Sequence, residues 1–181
     1  MKHYTFSRQF RALYDKAVAL YAKGQRGAAA FFTPDETAFL AANGITAQHM
    51  YDYAEDHNNY EGAPGFEIAL GIELVRRDYF LNVQRGKPSA PAAVLDETKM
   101  PAKTDAVRGI EWLPRLMPKA RAKLRGELPA TLMYCCGGDR RFFTQRDILP
   151  QEFLSLVWRA DSAGGGDAAI IDWVEARSKS M

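Results

Sequence analysis

Gly109-Ile-Glu-Trp-Leu-Pro-Arg-Leu-Met-Pro-Lys-Ala-Arg-Ala-Lys-Leu-Arg-Gly126 is the stretch on which the fold turns. Read as a helix beginning near Pro114, it places Leu116, Met117, Ala120 and Leu124 on one apolar stripe. Arg115, Lys119 and Lys123 flank that stripe on one side, and Arg121 and Arg125 on the other. Gly126 ends the run. Two prolines stand in the way, and either can mark a first turn, where the missing N–H costs nothing. The apolar positions recur at three and four rather than two, so the segment is helical and amphipathic.

The same periodicity recurs on both sides. Upstream, Phe6, Phe10, Leu13, Tyr14, Ala17, Val18 and Tyr21 fall at helical spacing up to Gly24. Thr33-Pro34-Asp35-Glu36 is a start signal: Thr33 caps, Pro34 occupies the first helical position and Glu36 completes a capping box. That helix ends at Asn43-Gly44, and Thr46 caps an acidic helix over about 47–57. Phe66 to Leu81 forms a longer helix closed by Gly86-Lys-Pro88. Downstream, Pro150 to Trp158 is helical, and Asp167 caps a last helix carrying Ile170, Ile171 and Val174. The first half shows no convincing strand. Residues 87–103 hold three prolines and little periodicity, which reads as a connector. The expectation is an all-α protein, an irregular multi-helix bundle with an N-terminal helical module (1–86), a Pro-rich connector (87–103) and a C-terminal helical domain (104–181).

Composition bounds the function. The 181 residues carry 47% hydrophobic and 25% charged side chains, the balance of a globular protein and not of a disordered one. The net charge of +2 argues against nucleic acid as the partner. No apolar run is long enough to span a bilayer, and the first residues lack the apolar core of an export signal, so the expected address is the cytoplasm without a membrane partner. The only two cysteines, Cys135 and Cys136, are adjacent and cannot staple distant segments.

Tyr134-Cys-Cys-Gly-Gly-Asp-Arg-Arg-Phe-Phe143 is the candidate site. Gly137 and Gly138 permit close approach of backbone amides to an anion. Arg140 and Arg141 offer guanidinium forks suited to carboxylate or phosphate. Asp139 completes the segment, and Arg115, Lys119 and Arg121 are the nearby cations. The alternative is structural: a helix ending at the glycines, Asp139 as a cap and the arginines in ion pairs. The chain has neither a phosphate-loop motif nor a Gly-x-Gly-x-x-Gly after a strand, so no cofactor is expected.

Two further constellations are weighed. Cys136 beside arginines can serve as a nucleophile if a base orients it, but His3, His49 and His57 all lie in the other half. His49, Tyr53, Asp56 and His57 share a helical face, which allows an Asp56/His57 acid–base pair. His49 and His57 are ~12 Å apart along the axis, too far to share one metal ion, so no metal is expected. Tyr51, Tyr53, Tyr60, Phe66 and Tyr79 can serve either the core or a partner protein.

From about Thr104 to Val174 the chain resembles a bacterial family known as domain of unknown function 5069. The residues that carry the likeness are Gly109, Trp112-Leu-Pro-Arg115, Lys119 to Gly126, Tyr134 to Phe143, Glu152-Phe-Leu154 and Ile171-Asp-Trp-Val174. The resemblance implies a helical cytoplasmic domain and brings no activity. The leading expectation is therefore a non-catalytic binding protein whose partner is a small anion or an acidic protein surface. The alternative is a small enzyme using a cysteine thiolate or an Asp/His pair. The oligomeric state stays open.

Overall fold

The computed structural model describes residues 3–179. It is mostly helical and divides into two compact units, Met1–Lys87 and Pro88–Met181. No helix among the described residues is long and apolar enough to cross a membrane.

The first unit holds α1 (Phe6–Ala22), α2 (Pro34–Ala42), α3 (Ala47–Asn59) and α4 (Phe66–Asn82). The periodic face of α1 buries Phe6, Phe10, Leu13, Tyr14, Ala17 and Tyr21, mainly against α3 and α4. The capping box at Thr33 forms as the sequence requires: Glu36 N–H donates to Thr33 Oγ1 (3.3 Å) and Thr33 N–H to Glu36 Oε2 (2.8 Å). Thr46 caps α3 by accepting from His49 N–H at 3.2 Å. The candidate aromatics mostly enter the core. Tyr53 is buried with its hydroxyl on Glu73 (2.9 Å), Tyr51 packs between Tyr21 and Phe31, and Phe66 sits against Phe10 and Tyr14. Only Tyr60 is largely exposed.

The second unit opens with the proline-bearing stretch. Its backbone forms two short 3-10 turns, Pro91–Ala93 and Glu97–Lys99, and is fastened along its own unit. Leu95 N–H donates to the Glu127 carbonyl (2.8 Å), Ser89 Oγ to the Arg125 carbonyl (3.1 Å) and Arg115 to the Pro101 carbonyl (2.8 Å). The stretch read as a connector is therefore a strap on the C-terminal unit.

A two-stranded antiparallel hairpin follows, β1 (Ala106–Val107) with β2 (Ile110–Glu111). Among the described residues it is the one strand pair in an otherwise all-α arrangement. Both residues of its turn have positive φ, Arg108 at 50° and Gly109 at 76°, the twist that a two-residue hairpin needs. Two residues per strand are too few for an alternating pattern, and Arg-Gly is not the usual Asn-Gly or Asp-Gly turn.

The helices of this unit are α5 (Leu113–Arg125), α6 (Gly137–Thr144), α7 (Pro150–Ser162) and α8 (Gly166–Lys179). Pro114 lies in the first turn of α5, where its missing N–H is harmless, whereas Pro118 is inside the helix. The expected stripe is buried, and Lys119 and Lys123 are buried with it, so these two do not flank the surface. Ile170, Ile171 and Val174 of α8 are buried as predicted. Asp167 is not the cap of α8. It lies in the first turn and pairs with Arg121 at 2.7 Å.

Candidate functional site

The glycine pair neither ends a helix nor forms a free loop: it opens α6, with Cys136 at the N-cap in extended conformation. Gly138 is required by packing. A Cβ there would lie 2.3 Å from Cζ2 of Trp112, so the indole rests directly on this backbone. The same edge of the ring is tied by a hydrogen bond, Trp112 Nε1 donating to Asp139 Oδ1 at 3.0 Å.

Asp139 is fully buried and accepts three hydrogen bonds. Besides Trp112, Lys119 Nζ donates to Oδ2 at 2.6 Å and Cys135 N–H to Oδ2 at 2.9 Å. Lys119 is itself 1% exposed, which makes this a desolvated ion pair whose charges compensate one another. Lys119 Nζ also contacts Cys136 Sγ at 3.1 Å. Burial, and next the Asp139 carboxylate, push the Cys135 thiol up, and burial pushes the Tyr134 hydroxyl up as well. Tyr134 donates to the Pro150 carbonyl at 2.8 Å.

The other candidate cations divide. Arg121 forks onto Asp161 (2.9 and 2.8 Å) and also pairs with Asp167; the Asp161 hydrogen bonds raise its already high pKa, and it is a clasp between helices. Arg115 is engaged by the strap, and Arg140 turns back to the Cys135 carbonyl at 2.8 Å. Arg141 is exposed and has no carboxylate partner among the described residues. Gly137 is exposed at the start of α6. Of the eight candidates, the structure brings Gly138 and Arg141 to an open cleft, while Asp139 and Lys119 brace it from behind.

That cleft measures about 480 Å³, within the range of small-molecule sites. Trp112, Gly138, Arg141 and Phe142 form its wall, with Lys103, Glu111 and Arg146 around them. Three cations thus face one carboxylate. Arg146 was not a sequence candidate. Its guanidinium lies 4.3 Å from the centre of the Phe142 ring, and burial pulls its pKa down. Its Nε is fully enclosed and has no hydrogen-bond partner among the described residues. A signal was present in the sequence: 138, 141, 142, 145 and 146 repeat at helical spacing, and although α6 ends at Thr144 the turn that follows keeps 145 and 146 on the cleft. Lys103 and Glu111 had none, because only the strap and the hairpin bring them here.

Of the cleft residues with a side chain, Trp112 has a positive φ of 70°, a region costly for residues with a Cβ and tolerated where surrounding structure imposes it.

The remaining candidates lie in the first unit. His49 is buried with Nδ1 3.6 Å from Glu73, while His57 Nδ1 faces the Tyr14 hydroxyl at 3.2 Å, so the two imidazoles serve different partners. Burial raises the Tyr14 hydroxyl to about 12. Among the described residues no three His, Cys, Asp or Glu side chains are placed to hold a metal ion.

The two thiols should behave differently. Under native conditions iodoacetamide is expected to alkylate Cys136 and spare Cys135, with both modified in denaturant; peptide mass mapping reads the outcome, and native labelling of Cys135 would contradict its burial.

No curated protein and no solved structure matches the chain. Residues 98–181, which include the hairpin, α5 to α8 and every residue lining the cleft, match the family described as domain of unknown function (DUF5069).

Proposed function

We propose that the C-terminal unit is a non-catalytic binding module for a small anion, a carboxylate or phosphate, received in the cleft beside Trp112 and α6. The observation that carries this reading is the charge balance of the cleft: Arg141, exposed and without a carboxylate partner among the described residues, lines it with Arg146 and Lys103 against the single carboxylate of Glu111. Guanidinium N–H groups left without a carboxylate favour an anion that accepts from them. The left-handed backbone of Trp112 on the cleft wall supports a site over a chance depression. The two unbridged thiols suit a reducing compartment, and we place the protein in the cytoplasm.

The test is thermal denaturation with and without phosphate, sulfate and citrate. At ten times its Kd a ligand stabilises by about 1.4 kcal/mol, which is roughly 6–11 °C for a unit of this size. The unaltered chain should show such a rise with at least one anion, and Arg141→Ala/Arg146→Ala should show none. Equal shifts in both would remove the reading.

A second reading, a thiol enzyme, is favoured by one contact, the Lys119 ammonium 3.1 Å from Cys136 Sγ at a helix start. Alkylation of Cys136 much faster than of free cysteine at neutral pH would turn the assignment toward it.

A further inference from the structure

We propose that the ligand of this cleft carries a planar aromatic body on its anionic head: an aryl phosphate or aryl carboxylate whose ring lies against Trp112. The inference rests on the anion reading and adds the chemistry of the rest of the molecule.

The cleft is the first reason. A volume of about 480 Å³ is far more than an inorganic anion fills, so a ligand that uses the site has a substantial non-ionic part. The second reason is what that part would meet. Phe142 is 3% exposed and is covered by the Arg146 guanidinium, so it offers little free surface. Trp112 is partly buried and is the more accessible aromatic on the wall, in a site otherwise lined by glycine, cations, Glu111 and Gln145.

The third reason is how firmly the indole is held. Its backbone sits at φ 70°, one side of the ring presses on Gly138, and Nε1 is tied to a carboxylate that is itself anchored by Lys119 and Cys135. A partly exposed tryptophan fixed at three points loses no rotamer freedom when a second ring stacks on it, which is the condition under which stacking adds affinity. Gly138 and Arg141 are three residues apart on α6, about one turn or ~5 Å along the axis, so the indole against Gly138 and the Arg141 side chain belong to neighbouring turns lining the same cleft. A small ring that carries its anion directly can engage both. Glu111, exposed at the rim, can accept from a hydroxyl or amino substituent on the ring's far side.

Isothermal titration of the full chain decides the matter. The probes are phenyl phosphate, benzoate, butyl phosphate, inorganic phosphate and phenol. The expected result is that phenyl phosphate or benzoate binds about tenfold more tightly than inorganic and butyl phosphate, and that phenol does not bind. Whichever aryl anion is the tighter identifies the head. Trp112→Leu should bring aryl and alkyl anions to equal affinity, and Trp112→Phe should keep the preference, provided circular dichroism shows both folded. The ligand comparison on the unaltered chain stands without either variant. Equal affinity for phenyl, butyl and inorganic phosphate would overturn this inference and leave the anion reading intact. Binding of phenol as tight as that of phenyl phosphate, or no binding by any anion, would overturn both.

Discussion

Replacing Asp139 by alanine is expected to cost the C-terminal unit about 3–5 kcal/mol, because it leaves an ammonium group buried without its counter-charge. Lys119 is 1% exposed and points at the Asp139 carboxylate from 2.6 Å. The substitution also strands the Cys135 N–H and frees the Trp112 indole. In a unit of this size each kcal/mol moves the midpoint by roughly 4–8 °C, so the transition should fall by more than roughly 12 °C. Trp112, Trp158 and Trp173 all lie in this unit, so tryptophan fluorescence follows its melting. The control is Lys119→Met/Asp139→Leu, which removes both charges and keeps the volume. It should recover more than half of the loss, since a buried pair costs little to replace as a pair and much to break. A drop below about 4 °C for Asp139→Ala would mean that the pair is hydrated in solution.

The second large effect is expected in the other unit. Gly44 follows α2 at φ +74°, and a Cβ there would stand 2.6 Å from Cγ and 2.7 Å from Cβ of Phe80. Gly44→Ala therefore adds left-handed strain to overpacking, together about 2–4 kcal/mol. Phe80 is 3% exposed, and the clash reaches its Cβ, so relief requires α4 to move and not merely a ring to turn. Asparagine tolerates this backbone better but keeps the clash; Gly44→Asn should regain only the smaller, conformational share. Urea denaturation followed by far-ultraviolet circular dichroism measures both variants. An Ala variant within about 0.5 kcal/mol of the parent would show that the turn and α4 are not locked together.

These two positions also mark where reading the sequence succeeds and where it stops. Gly44 was legible as a helix stop, because the penalty for positive φ belongs to the residue itself. Its contact with Phe80 was not, since 36 positions of chain separate them. Thr33 and Glu36 close their capping box within three residues, and the apolar faces of α1 and α5 follow from spacing alone. Lys119 shows the reverse. By spacing it is a flanking cation; only the approach of α6 turns it into a buried partner of Asp139. Arg121 was a candidate anion reader for the same reason, until the start of α8 and the end of α7 supplied Asp167 and Asp161.

The helical class, the caps and the order of elements were thus determined by the sequence itself, because each depends on interactions that span one or two turns. Which cations are neutralised, which face open space, and where a tryptophan meets a glycine were decided only by the tertiary structure. Long-range pairing sets the charge balance at each guanidinium, and no local pattern encodes how a strap, a hairpin and a short helix converge on one cleft.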